Sequence, residues 1–309
     1  GVSQNTAIKV LSELQSEGFI RKIKRKGTVV ANNKKAISIK LLVPSQTSVE
    51  QWLSHFIGMK MFPALKEAAR QTGSEIEPVS EDHLALIQPS MGDNTGMIVF
   101  QSLSKQTEEF LRTHSIPFVM LHATGPVNPS IPDARTDMKR GAYMAVRHLI
   151  SSGRRRIAFL GGPLTYSFIL PRFQGYLKAL KEAGIKFDWD LVKEAGSPPI
   201  EEAASVKELL SIDRPADAIF AVNDRRALNI LDYCKKNKIR IPEDLSIVGY
   251  DNIPETAMVK PALTTIDPHI DHLCVQVITM MLKLMDGENV SNYRAAPEII
   301  IRESSASAN

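Results

Sequence analysis

From Ile37 onward, short apolar runs alternate with longer stretches whose apolar positions recur every three or four residues. Short runs bounded by polar turns read as buried strands, and the three-to-four spacing reads as helices with one apolar face. The clearest strands are Ile37–Val43, Gly96–Phe100, Pro117–Leu121, Arg156–Leu160, Ala218–Val222 and Ser246–Gly249. Between them, Phe56–Gln71, Ser104–His114, Lys139–Ser152, Arg172–Ala183, Ile200–Ser211, Arg226–Lys236 and Pro268–Met285 read as helices. Regular alternation of this kind predicts an α/β fold of parallel sheets with helices on both faces.

The first residues follow another pattern. Ser3 is placed to cap a helix whose Ala7, Val10, Leu11 and Leu14 share one face, expected to be core, and Gly18 is placed to end it. The opposite face carries Gln4, Asn5, Ile8, Lys9 and Ser12, groups suited to base edges and phosphates in a major groove. Phe19–Ile23 and Thr28–Ala31 then read as two short strands around Lys24-Arg25-Lys26-Gly27, a hairpin with a basic tip of the kind found in a wing.

Charge sharpens this division. Residues 1–40 hold nine Lys or Arg against Glu13 and Glu17, a net +7, and the rest of the 309 residues sum to −3. A basic head on a mildly acidic body points to a polyanion at one end only, although a charge run taken alone is as often a solubilising segment. With 43% hydrophobic residues the chain can bury more than one core. It contains no run of eighteen apolar residues and no leader-like opening, so a soluble, cytoplasmic protein is expected. Cys234 and Cys274, forty residues apart, form no disulfide framework or zinc knuckle.

Two resemblances follow. Gly1-Val2-Ser3-Gln4-Asn5-Thr6, Leu11-Ser12-Glu13-Leu14, Glu17-Gly18-Phe19-Ile20 and Gly27-Thr28-Val29-Val30 resemble the second half of the gluconate-repressor (GntR) winged helix-turn-helix. The resemblance implies a helix from Ser3 that reads the major groove and a wing on the minor groove or backbone. Ser3, Gln4, Asn5, Thr6, Lys9, Lys24, Arg25, Lys26 and Gly27 then become the DNA-binding residues. Gln4 stands where that family usually has Arg, and Arg25 where its wing has the first of two glycines. The family's first two helices would precede Gly1, so this chain is expected to bind DNA poorly on its own.

The body resembles the effector domain of the lactose-repressor (LacI) family and, more distantly, periplasmic sugar-binding proteins. The carriers are Gly141-Ala142-Tyr143, His148-Leu149-Ile150, Gly153 to Pro163, Arg172-Phe173-Gln174-Gly175-Tyr176, Ala221-Val222-Asn223-Asp224, Ser246 to Asp251 and Pro261 to Ile266. The resemblance implies a type I periplasmic-binding-protein-like domain over 37–309, behind a partial winged helix and linker over 1–36. Its first lobe would comprise 37–135 with 268–292, its second 136–267 with 293–309, with three crossovers and the ligand between them. A homodimer on operator DNA is implied as well, since two half-sites demand two heads.

Ligands of open α/β sheets bind beyond the carboxyl ends of the strands, and that rule alone selects Ser45, Gln46, Gln101, Ser102, His122, Asn223 and Asp251. The resemblance assigns effector contacts to equivalent positions and adds Arg172. A carboxylate, a guanidinium and an amide suit vicinal hydroxyls, so the expected effector is a monosaccharide. Asp251 and Asn223 are equally fit to cap the helices that follow them. His122 stands where the family usually has an acid or amide. Trp52 is placed to stack on a sugar face, Phe56 to do so or to pack a helix, and Asp137 to cap a helix, act at a hinge or touch ligand.

Three other features read as structural: the His269-x-Asp271-His272-x-Cys274 cluster at a helix start, the Gly161-Gly162-Pro163 turn without a phosphate-loop ending, and the solvated turn Arg154–Arg156. No nucleophile–base or metal constellation assembles, so neither catalysis nor a cofactor is expected. The competing reading is a periplasmic-type sugar-binding protein without DNA binding. Its discriminating feature is the basic head.

Overall fold

The computed structural model describes the chain apart from residues 1–2, 17–19, 24–26, 31–36, 46, 55, 89–90, 93, 124–127, 196–198 and 306–309. At the front, helix α1 (Gln4–Ser16) precedes an antiparallel pair, β1 (Ile20–Ile23) with β2 (Gly27–Val30). The face of α1 expected to be core is open: Val10 and Leu11 are 47% and 42% exposed. One helix and one two-stranded ribbon offer too little apolar surface to enclose it.

The body opens with β3 (Ile37–Val43), α2 (Val49–Ser54), α3 (Phe56–Gln71), β4 (Ser74–Ser80), α4 (Leu84–Ile87), β5 (Thr95–Phe100), α5 (Lys105–Thr113), β6 (Phe118–Leu121) and β7 (Asp133–Thr136). It continues through α6 (Met138–Ser151), β8 (Ile157–Gly161), α7 (Leu170–Glu182), β9 (Val192–Glu194), α8 (Pro199–Ser211), β10 (Ala218–Ala221), α9 (Asp224–Lys236), β11 (Ser246–Val248) and β12 (Thr265–Asp267). Then come α10 (Ile270–Met285), β13 (Tyr293–Ala295) and β14 (Glu298–Ile300).

Two parallel sheets result. The first has the order β13-β7-β6-β5-β3-β4, the second β11-β10-β8-β9, and β12 pairs antiparallel with β14. Central strands are buried along their whole length, as β5 and β8 are, because helices cover both faces. β4 is an edge strand, which is why it tolerates Pro78.

The first sheet packs Leu41, Phe100 and Leu121 against α3 and α10, and the second packs Phe159 and Phe220 against Phe173 and Tyr176 of α7. Each such buried side chain contributes roughly 1.5–3 kcal/mol. Helices α6 and α7 lie so close that a Cβ on Gly175 would stand 2.2 Å from the Lys139 carbonyl oxygen.

Two expected boundaries shift. Thr136 still belongs to the first sheet, and Tyr293–Ala295 pair with Ala134–Thr136 of β7, so the last crossing follows Ala295 rather than residue 292. The cause is ladder pairing at the sheet edge, which apolar periodicity does not reveal. Among the described residues no helix is long and apolar enough to cross a membrane.

Candidate functional site

The two sheet-bearing bodies meet at the carboxyl ends of their strands. Arg172, in the first turn of α7, is buried; its Nη1 donates to the Val222 carbonyl at 2.9 Å and its Nη2 stands 3.5 Å from Asp251 Oδ1. The guanidinium lies 4.0 Å over the Tyr250 ring. Asp251 follows β11 with φ 112°, a conformation L residues rarely adopt, and is held there by its amide donating to the Ile266 carbonyl at 2.8 Å. Gln101 and His122, just past β5 and β6, are also left-handed, at 62° and 55°. Backbone strain concentrated at strand ends that face one another is a mark of a binding site.

Burial governs the charges here. Desolvation raises the Asp251 carboxyl to about 6 despite the nearby Arg172 and Lys60. Its neighbour Asp224, fully buried and accepting from the Ile253 amide, is raised to about 8 by burial and then by Asp251. His122 is lowered to about 4 by burial and by the cations Arg172 and Arg135, so its imidazole is neutral at physiological pH. That dependence brings His122 of the first body toward Arg172 of the second. Among the described residues, both ring nitrogens of His122, Nε of Arg172, the Tyr250 hydroxyl and the Trp52 indole nitrogen are buried without a hydrogen-bond partner. Buried polar groups are seldom left unpaired; Trp52 belongs to the first core, and the orphaned atoms of His122, Arg172 and Tyr250 lie at the cleft, where a polar ligand could pair them.

A family profile described as periplasmic binding protein-like domain matches residues 146–305, more than half of the chain. The chain belongs to the periplasmic binding protein-like domain family. It is similar to the HTH-type transcriptional repressor PurR of Pasteurella multocida, 28% identical over 235 residues that cover 75% of this chain and 70% of that protein. It is also similar to the HTH-type transcriptional repressor CytR of Escherichia coli K12, 34% identical over 196 residues, 61% of this chain and 55% of that protein. Among solved structures, a LacI family regulator from Enterococcus faecium with bound ribose superposes with TM-score 0.74 at 25% identity, covering 88% of this chain and all of the other. A CelR–cellobiose complex superposes with TM-score 0.74 at 22% identity over 98% of this chain and 91% of its own. These relatives carry the LacI kinship. They lend no support to a gluconate-repressor type of head.

The chain is therefore a DNA-binding transcription regulator under small-molecule control. Not every residue expected to contact a ligand lies with Arg172 and Asp251. Trp52 is 4% exposed and set edge-on to Phe62 and Phe100 in the first core, so it has no free ring face to stack on a sugar. Its burial follows from the apolar company of α2 and α3. Ser45 lies beside Glu81, whose carboxylate accepts from its amide at 3.3 Å, on a cavity with Ser104 and Thr107 rather than with Arg172. Ser102 is exposed and Gln101 half-buried.

Asn223 and Asp137 are the N-caps of α9 and α6, accepting from the Arg226 and Arg140 amides at 3.0 and 2.9 Å. Gln46 lies outside the described residues, as does the side chain of Phe56. In the regulator's head, Ser3 caps α1, accepting from the Thr6 amide at 3.2 Å, and Lys9 is exposed. Gly27 opens β2; the side chains of Gln4 and Asn5, and all of Lys24, Arg25 and Lys26, lie outside what is described.

The features read as structural are tied into the fold. Arg154 donates to the Pro242 carbonyl, Arg155 to that of Ile150, and Arg156 to Asp188. His272 bonds Tyr293 at 2.8 Å, and no metal-holding group exists among the described residues. Sequence reasoning missed Lys60, whose Nζ reaches across from α3 to the Asp251 carbonyl at 2.6 Å, and Tyr250, the floor beneath Arg172. Tyr250 lies inside the Ser246 to Asp251 motif. Lys60 carries no local signal, because its partner comes from the other body.

Proposed function

We propose that the effector of this regulator is a monosaccharide bound between the two bodies, at Arg172, Asp251, His122 and Tyr250. The observation that carries the reading is the facing of Arg172 and Asp251, ringed by buried polar atoms without partners. A guanidinium and a carboxylate give a polyol a forked donor and a double acceptor, and neutral His122 adds one donor and one acceptor. The ribose named for the Enterococcus faecium regulator is consistent with this chemistry.

We further propose that α1 and the β1–β2 hairpin are the recognition half of a winged helix, which works in the cytoplasm as a dimer on operator DNA. The helix-then-hairpin order and the +7 charge of residues 1–40 support this. A periplasmic sugar carrier would share the cleft but has no use for a basic head.

Two measurements test the proposal. In thermal unfolding across a monosaccharide panel, one or more sugars should raise the midpoint by several degrees, and a flat panel sinks the sugar assignment. The protein carrying its whole head should bind duplex DNA with an affinity that falls steeply with salt, less steeply when Lys24, Arg25 and Lys26 are replaced by Gln. An unchanged slope removes the hairpin tip from the interface.

A further inference from the structure

Beside the Arg172–Asp251 pair opens a second cavity of about 350 Å³, whose walls include Ala123, Arg135, Asp137, Lys139, Pro171 and Arg294. It adjoins the cleft: Ala123 and Pro171 are the chain neighbours of His122 and Arg172, and Arg135 is close enough to His122 to help keep that ring neutral. Arg135 and Arg294 stand side by side in the register of β7 and β13.

Between them these arginines share one carboxylate. Asp133, 2% exposed, accepts from Arg135 Nε and from both Nη atoms of Arg294, at 2.9 and 3.0 Å. Lys139 has no carboxylate partner among the described residues. The remaining acid, Asp137, turns its carboxylate to the α6 amide of Arg140. Three cations against two carboxylates leave the wall positive. The amino end of α6 adds its own positive dipole.

We infer that this cavity receives an anionic group of the effector, so that the ligand is an anionic sugar, with a phosphate ester the best match to an ammonium and two guanidiniums that keep donors beyond those given to Asp133. The inference rests on the sugar-cleft reading. Polyol hydroxyls would engage Arg172, Asp251 and His122 while the oxyanion reaches Arg135, Lys139 and Arg294.

The test is calorimetric titration at low salt with ribose, ribose 5-phosphate, glucose, glucose 6-phosphate and inorganic phosphate. Within at least one pair the ester should bind roughly tenfold or more tightly than its parent, the worth of one charge-assisted hydrogen bond. Lys139→Gln, at an exposed position, and Arg294→Gln should each narrow that ratio. Parents binding as tightly as esters overturn the anionic group and leave the sugar cleft standing; so does an ester preference that survives both substitutions. Inorganic phosphate binding as tightly as any ester overturns the anionic sugar in favour of the free anion. Silence from all five probes overturns this inference together with the sugar reading.

Discussion

Replacing Arg172 by alanine is the most searching perturbation of the cleft. The side chain donates to the Val222 carbonyl at 2.9 Å, stands 3.5 Å from Asp251 and covers the Tyr250 ring at 4.0 Å. A hydrogen bond from a charged donor contributes about 1.5–3 kcal/mol, and a cation over an aromatic face about 0.5–2 kcal/mol. Breaking a buried ion pair costs about 3–5 kcal/mol when the partner stays charged. Asp251 escapes part of that cost by taking up a proton, since its carboxyl already titrates near 6 and rises further without the cation. With that cost relieved by protonation, the two contacts come to about 2–5 kcal/mol, at or below the foot of the about 5–15 kcal/mol that holds a domain folded, and the variant persists.

Its response to effector does not. A sugar present at a hundredfold excess over its Kd adds about 2.7 kcal/mol to the wild type. For a domain of this size each kcal/mol moves the midpoint by about 2–4 °C, so the expected rise is roughly 5–10 °C. In Arg172→Ala that rise should vanish, and in Arg172→Lys, which keeps the charge and loses the fork, it should be partial. Circular dichroism melts with and without sugar measure it directly. A wild-type rise in the alanine variant would refute the assignment of Arg172 to the ligand.

Three further outcomes are expected. Asp251 and Asp224 have folded-state carboxyls near 6 and 8, above their unfolded values, so the folded state holds protons that the unfolded chain has released. Their contribution is therefore greatest below about pH 4 and declines as pH rises through 6 and then 8, by about 3 kcal/mol for Asp251 alone. Asp224→Asn mimics the protonated acid and should flatten the decline between pH 6 and 8 in urea titrations; superimposable profiles would count against the buried acid. Gly175→Ala drives a methyl to 2.2 Å from the Lys139 carbonyl oxygen and 2.8 Å from the Tyr143 nitrogen, both backbone, and should cost about 1–3 kcal/mol in the same titrations. An unmoved midpoint there would mean that α6 and α7 separate freely. Lys60→Met removes the bond to the Asp251 carbonyl and should enlarge the radius of gyration of the unliganded protein in small-angle scattering; an equal radius would show that Lys60 does not hold the bodies together.

Elements that bury a regular apolar face were legible in the sequence. Phe56–Gln71 and Ile37–Val43 match α3 and β3 to the residue, because nothing but core packing dictates them. β4 was missed: its Glu75, Glu77 and Pro78 are what a sheet edge permits and what a buried strand forbids. β7 was missed for a different reason, since Asp133 and Arg135 are buried or half-buried through mutual pairing rather than through apolarity. The strand-end rule selects His122 and Asp251, and the topology does send both to the cleft. It also selects Ser45, whose backbone amide is engaged by Glu81, and Asn223, whose side-chain oxygen caps α9. Trp52 failed on scale, since a large ring next to a core is buried before it can serve a ligand.

The arrangement also bears on how an effector moves this protein. To turn a one-in-a-hundred closed form into the dominant one, a ligand must favour it by about 5.5 kcal/mol. His122 Nδ1 and Nε2, Arg172 Nε and the Tyr250 hydroxyl are buried without partners, and an unpaired buried polar atom costs about 1–3 kcal/mol. Pairing two or three of them with one ligand supplies a difference of that order without any new protein contact. The crossings between the bodies lie close by, at Thr136–Asp137, after Asp267 and after Ala295, and Asp267 is itself tied to Asn252 at 2.8 Å, one residue beyond Asp251. In the proposed site, a ligand that satisfies His122 from one body and Arg172 from the other would act on the connectors as it binds. The free energy it releases is spent where the relative placement of the bodies is decided, and any DNA-binding head joined to the first body is placed with them.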